Sequence, residues 1–427
     1  MNIIQNRPFG QRYAFVVVAV IFLSLLIAAG MRSAPSVLML PLENAFGWRR
    51  DAISLAAAIG IFLYGLAGPF AAALMDRVGL RRTVMASIAL MSASTALSLF
   101  MTEPWHLIAT WGIFSGIGSG AVASVLGATI VNRWFKTNRG LMMGLMSASS
   151  ATGMLVFLPA LAALAQYGGW RPVVITVSIA TAALLPLVYF LVPERPSSIG
   201  LTRYGAEGDN EQDAPAAQGN FLLSTLDTLR RAARTRVFWY LFATFFICGF
   251  TTNGLVGTHL IAFCGDMGIP EVRAAGLLAL MGVFDLIGTT LSGWLTDRFD
   301  PRKLLGVYYG IRGLSLIYLP YSGFSGLSLT IFAILYGLDW IATVPPTLRL
   351  ANESFGDRSG PLVFGWIVAG HQVGAATAAF FGGALREMQG DYVLAFQIAG
   401  MTAIGAAALS LLIDPAETRG REVAQPA

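Results

Sequence analysis

Between residues 13 and 413 the chain passes through twelve predominantly apolar stretches of about twenty residues, each ended by a short polar break. Lipid offers no partner to a backbone N–H or C=O, so a chain that crosses hydrocarbon repeatedly must satisfy those groups within each crossing. A helix does so, and roughly 30 Å of hydrocarbon takes about twenty residues at about 1.5 Å each. The predicted spans are 13–40, 52–74, 83–101, 107–131, 141–166 and 172–192, then 237–264, 274–295, 304–321, 327–347, 362–385 and 393–413. Charged residues make up 12% of the chain and apolar ones 56%. A soluble protein needs roughly 25% charged residues to keep its surface in water, so lipid covers most of this one. The first apolar run is too long for a signal peptide and lacks a small-residue cleavage site, so it reads as a span.

The loops alternate in basic content. One side carries 21 of the Lys and Arg residues, among them Arg77, Arg81, Arg82, Arg298, Arg302 and Lys303; the other carries only Arg49, Arg50, Arg171, Arg273 and Arg386. The positive-inside rule then places both termini in the cytoplasm, and the expected location is a plasma (inner) membrane. The net charge of +5 is spread over these short loops, which argues against nucleic acid as a partner. Cys248 and Cys264 lie in or beside one apolar run, so neither a disulfide framework nor a metal site is expected.

A break at about 194–236 divides the spans six and six. The expected organisation is an N-terminal bundle over 1–193, a cytoplasmic linker over 194–236, a C-terminal bundle over 237–414 and a cytoplasmic tail over 415–427. Residues 207–220 read as flexible linker, and 222–233 as an amphipathic helix with its arginines towards anionic lipid. Each half has a related loop after its second span: Asp76-Arg77-Val78-Gly79-Leu80-Arg81-Arg82 and Asp297-Arg298-Phe299-Asp300-Pro301-Arg302-Lys303. One such loop is ordinary topogenic charge. Two in register point to a duplicated six-helix unit, the arrangement in which two bundles rock about a site between them. Asp76, Arg77, Gly79, Arg81, Arg82, Asp297, Arg298 and Arg302 are therefore candidate gating residues.

These loops make the sequence resemble the major facilitator superfamily over nearly its whole length. A finer resemblance, to the monocarboxylate transporter and oxalate–formate exchanger branch, rests on several strings. They are Pro41-Leu42-Glu43-Asn44-Ala45-Phe46-Gly47-Trp48, Asn132-Arg133-Trp134-Phe135 through Arg139-Gly140, Arg195-Pro196 with Gly200-Leu201 and Tyr204-Gly205, and Phe284-Asp285. The resemblance implies an all-α membrane protein with twelve transmembrane helices in two pseudo-symmetric six-helix bundles.

An ionisable group near mid-bilayer costs about 3 kcal/mol or more unless it faces a cavity or a partner, so each is a candidate for function. Asp285 precedes Asp297 by twelve residues, roughly 18 Å of helix. Arg312, Asp339 and His371 lie at similar depth, and all four belong to the second half. Arg312 is expected to pair with Asp285, Asp339 or both. Two roles are open for this network: a structural lock, or a substrate contact with a spare carboxylate that takes up a proton. His371 and Gln372 stand in an otherwise small, apolar stretch; the resemblance implies a lysine at the place of His371, where histidine keeps a donor. Arg32, in the outer half of the first span, either snorkels outward or supplies the first half's cation, as the resemblance implies for a lysine of that helix. The resemblance also implies an arginine one turn after Asp285, but this chain has Thr289 there. Asn253, His259 and Tyr64 are further candidates for polar cavity contacts. Gly112, Gly116 and Gly120, and also Gly370 and Gly374, have the small-xxx-small spacing of closely packed helices. Pro345-Pro346 is expected to kink or end the tenth span.

The leading functional reading is a secondary carrier of a small organic anion, a mono- or dicarboxylate, working by proton symport or exchange as a monomer with no cofactor. No phosphate-cradling Gly-x-x-x-x-Gly-Lys-Ser/Thr loop is present to bind ATP. Efflux of an amphipathic or drug-like compound is an alternative within transport, and a sensor or enzyme is one outside it. Against an enzyme stands the lack of metal-ligand spacing or a nucleophile–base set.

Overall fold

The computed structural model describes residues 10–206 and 221–414. The flexible stretch expected at 207–220 and the tail expected at 415–427 lie outside the described residues, as does the side chain of Asp76. Each of the twelve predicted stretches is helical, and among the described residues there is no strand, only an isolated bridge between Phe135 and Tyr204. Among the described residues, ten helices are long and apolar enough to cross a membrane. The other two predicted stretches are the fifth helix, Arg139–Gly168, and the ninth, Pro301–Tyr318, which carries Arg302, Lys303 and Arg312.

Within the first half the first helix, Tyr13–Phe46, packs on the fifth and on the sixth, Trp170–Leu191. The second, Arg50–Arg77, packs on the fourth, Pro104–Trp134. The reason is visible in the small-residue stripe. A Cβ on Gly116 would sit 2.9 Å from the Gly60 carbonyl, and one on Gly120 would sit 2.8 Å from the Tyr64 carbonyl. The two backbones touch, and van der Waals packing replaces the hydrophobic drive that lipid cannot supply. In the second half the seventh helix, Arg236–Asp266, packs along the eleventh, Leu362–Gln389, and the ninth along the twelfth, Val393–Leu411. The halves meet where the second helix lies on the eleventh and the fifth on the eighth, Glu271–Thr296.

The two related loops share a sequence pattern but not a cap. In the first, Gly79 turns the chain at φ +109°, and the distant Glu194 carboxylate accepts from the Leu80 and Arg81 amides at 2.6 and 3.1 Å. In the second, Asp300 accepts from the Arg302 amide two residues on, at 2.9 Å. Either way, orphan N–H groups at a helix start meet a carboxylate. The segment predicted to be amphipathic is helical over Phe221–Ala232, where Arg231 pairs with Asp227.

The tenth helix breaks earlier than Pro345-Pro346 suggests. Gly326–Asp339 is regular, the turn runs through residues 340–343, and a new helix begins at Val344 with the prolines in its first turn. Proline fits that turn because its missing N–H would have had no helical partner. The prolines start the next segment, and the break lies just before them.

Candidate functional site

Non-helical backbone at membrane depth must find partners in protein. At the break in the tenth helix they come from the eighth and ninth. Arg312 donates through Nη2 to the carbonyls of Asp339 and Trp340, at 2.6 and 3.3 Å. Asp285 accepts from the Ile341 amide at 2.9 Å, and Ser292 donates to the Ala342 carbonyl at 2.5 Å. Arg312 Nε forms an ion pair with Asp339 Oδ2 at 2.6 Å. Its Nη1 reaches Cys248 Sγ at 3.1 Å and Thr251 Oγ1 at 3.4 Å.

Of the pairings expected for Arg312, the structure therefore forms the one with Asp339. Asp285 is held instead by the Ile341 amide and by Thr289, whose hydroxyl donates to Oδ1 at 2.9 Å. Arg312 has no exposed surface and does not reach the cavity wall. Of the two roles open for it, this arrangement fits the structural lock: all its nitrogens are engaged in and around the break.

A cavity of about 420 Å³ opens between the halves. Arg32, Tyr64 and Trp111 line it from the first half, and Asn253, Asp285, Trp340, His371 and Gln372 from the second. Arg32, Tyr64, Asn253, His371 and Gln372, five of the seven candidates for substrate or cavity contacts, thus line one space, although they come from the first, second, seventh and eleventh helices. Asn253 belongs to a wider, π-helical turn at Phe250–Val256, a local irregularity that re-aims side chains. Its Nδ2 lies 3.5 Å from His371 Nε2, while His371 Nδ1 is buried with no hydrogen-bond partner. Gln372 marks the contact of the halves, since a Cβ on Gly65 would stand 2.4 Å from its own Cβ. His259 is elsewhere. Fully buried, it contacts the Ala379 carbonyl at 2.7 Å and the Tyr392 hydroxyl at 3.3 Å, so it ties the seventh helix to its neighbours and does not line the cavity.

Arg32 has the most unbalanced surroundings. Its guanidinium lies over the Tyr64 ring, 4.7 Å from the centroid, and its Nη1 is buried without a hydrogen-bond partner. Among the described residues no carboxylate forms an ion pair with it. An aromatic face attracts the cation but accepts no hydrogen bond in the guanidinium plane, so the Tyr64 ring leaves Nη1 without an acceptor.

At the end opposite the basic loops the two halves are joined by charges that the sequence did not single out. Arg50 donates to Glu43 at 2.8 Å and to both oxygens of Asp266 at 2.8 and 2.7 Å, and its amide donates to Glu387 at 2.9 Å. Arg386 also reaches Asp266, at 2.9 Å. The one available signal was a cluster of paired charges on the side otherwise poor in them. The candidate gating residues stand at the other end. Arg77, Arg82, Asp297 and Arg298 are exposed there; Arg81 lies over the Tyr189 ring and Arg298 over the Trp294 ring, each within its own half.

Residues 21–360 match the family model of the Major Facilitator Superfamily. The chain is 28% identical over 388 residues to monocarboxylate transporter 13 of Rattus norvegicus, covering 90% of this chain and 85% of that one. It is 25% identical over 435 residues to a gallate transporter of Pseudomonas putida, covering 96% and 94%. Its fold matches a bacterial homolog of the human lysosomal transporter Spinster, crystallised in an inward-facing and occupied conformation. That match has a TM-score of 0.76 at 16% identity and covers 97% of this chain and 99% of that one. At such identity the likeness concerns fold alone. The family match, the apolar helices and the cavity between the halves agree: this chain is a multi-pass membrane transporter that belongs to the Major Facilitator Superfamily and resembles its monocarboxylate transporter branch.

Proposed function

We propose that the protein carries a small organic anion by alternating access, with Arg32 as the anchor for the substrate's carboxylate. The observation behind this reading is the buried, unpartnered Nη1 of Arg32 at a cavity shared by the two halves. A carboxylate completes the guanidinium's in-plane hydrogen bonds, and a neutral solute leaves them partly unmade. The names of the rat and Pseudomonas putida relatives, a monocarboxylate and a gallate transporter, support the same class.

The basic loops orient the chain with both termini in the cytoplasm of a plasma (inner) membrane. In that orientation the Arg50 cluster joins the halves at the outer end. Coupling runs by proton symport or by exchange. Asp285 is the group that connects the two, because it lines the cavity while Oδ1 supports the break in the tenth helix. Uptake of labelled lactate, pyruvate, oxalate and aromatic acids into proteoliposomes, with and without a pH gradient, tests this. Arg32→Gln should lower anion uptake about tenfold or more, the scale of a charged hydrogen bond, with expression unchanged. If no carboxylate moves or competes, the anion assignment fails; unchanged uptake by Arg32→Gln returns that side chain to a snorkelling role.

A further inference from the structure

We infer that the transported anion is an aromatic carboxylate, a planar ring bearing the acid group, and not a short aliphatic acid. This rests on the anion reading above and narrows it. A cavity of about 420 Å³ belongs to the size class that encloses drug-sized ligands. An acid of two or three carbons anchored at Arg32 leaves most of that space to water and most of the wall uncovered.

Both halves contribute aromatic rings to the wall. Trp111 faces the cavity from the fourth helix, and its indole Nε1 donates to Ser98 Oγ at 3.0 Å, which fixes the ring plane. From the second half, Trp340 stands in the break of the tenth helix, edge-on to Tyr336 with centroids 5.6 Å apart. Phe245 and Phe364 continue that face, 5.8 Å from one another. Trp111, Trp340 and Phe245 are buried to more than nine-tenths, so the part of each ring that reaches the cavity is held in place, and fixed ring surface rewards a flat partner over a flexible aliphatic one. Tyr64 is occupied beneath Arg32, so the anchor and the ring surfaces are separate. The distribution matters for transport. Anchor and Trp111 belong to the first half, Trp340 and Phe245 to the second, so one rigid molecule touching both senses whether the halves have closed on it. Asn253 and His371 add polar atoms on the second half's side, where a ring hydroxyl finds hydrogen bonds.

The test uses the purified full-length protein. Quenching of intrinsic tryptophan fluorescence and competition for uptake are measured with benzoate, 4-hydroxybenzoate, cyclohexanecarboxylate, lactate and acetate. The expected order places both benzoates at least about tenfold tighter than lactate or acetate, with cyclohexanecarboxylate weaker than benzoate. Trp340→Leu should reduce that preference about tenfold and leave the dependence on Arg32 intact. Lactate or acetate binding as well as the benzoates overturns the aromatic assignment and leaves the anion reading standing. Equal binding of cyclohexanecarboxylate and benzoate also overturns it, because ring size alone then decides. If none of the five acids binds, both readings fall. The wild-type panel decides the matter even where Trp340→Leu does not fold.

Discussion

Arg50 grips both carboxylate oxygens of Asp266 with its two terminal guanidinium nitrogens, at 2.8 and 2.7 Å, across the boundary between the halves. Arg50 is only 3% exposed, and the Glu43 carboxylate and the Arg386 guanidinium complete a compact network around the pair. Charged hydrogen bonds in this fork geometry are strong and directional. Removing one partner of such a pair costs about 2–5 kcal/mol, much of it from the charge left behind. Arg50→Ala should therefore shift the balance of conformations by about thirtyfold or more towards an open outer end. Spin labels at the exposed Tyr167 and Met388 positions report it as a new, longer distance. An unchanged distance distribution means that the pair does not hold the halves together.

Arg312 has a different task and should give a different phenotype. It neutralises Asp339 and also holds two carbonyls freed by the break in the tenth helix. Arg312→Leu strands a buried carboxylate and should cost about 3–5 kcal/mol. Replacing Asp339 by Leu as well removes the stranded charge but still leaves the two carbonyls without a donor. The double variant should thus regain part, and not all, of the loss in thermal unfolding measured in detergent. Full recovery shows that the carbonyl contacts contribute nothing.

What the sequence revealed and what it hid follow from the range of the interactions. Each span is a local pattern of about twenty residues, so all twelve helices were readable. Arg32, Asn253 and His371 were readable because a polar group in hydrocarbon is anomalous wherever its partner lies. Tyr64 and Gln372 were candidates on residue type alone, and only the packing of four helices brings all five to one cavity. The partner of Arg50 was hidden, since Asp266 is 216 residues away and both look like ordinary loop charges. Trp111 and Trp340 were hidden for the opposite reason: tryptophan is common in spans, and only the packing shows which rings face a cavity. The break in the tenth helix was half-visible. The prolines announced it, but their own requirement is for a helix start, which displaced the expectation by a few residues.

Asp300 gives a prediction outside the membrane. Its carboxylate accepts from the Arg302 amide and side chain, at 2.9 and 2.8 Å, and the Arg302 hydrogen bond holds the Asp300 acid below the ordinary carboxylate range. Because the folded value is the depressed one, this contribution is present above the unfolded carboxyl value of about 3.9 and fades as pH falls through the folded value. Asp300→Ala should cost about 1 kcal/mol at neutral pH, the usual worth of an N-cap. That deficit should shrink in acid, so that the two unfolding temperatures approach one another below about pH 4. A deficit constant across this range assigns the effect to packing and not to the charged cap.

Asp285 is the one carboxylate of the buried network that also lines the cavity. Its Oδ1 serves the Ile341 amide and the Thr289 hydroxyl, a role that needs an acceptor but not a charge. An amide side chain supplies such an acceptor, so Asp285→Asn should fold with little loss of stability. It cannot take up and release a proton in the relevant pH range, whereas a carboxyl can. The proposed coupling then makes a sharp distinction. An inward proton gradient should no longer drive accumulation of labelled acid into vesicles, while exchange of internal for external acid persists at a similar rate. Gradient-driven accumulation that survives in Asp285→Asn confines this residue to supporting the tenth helix. Loss of exchange as well as accumulation, with normal unfolding, makes it a substrate contact instead.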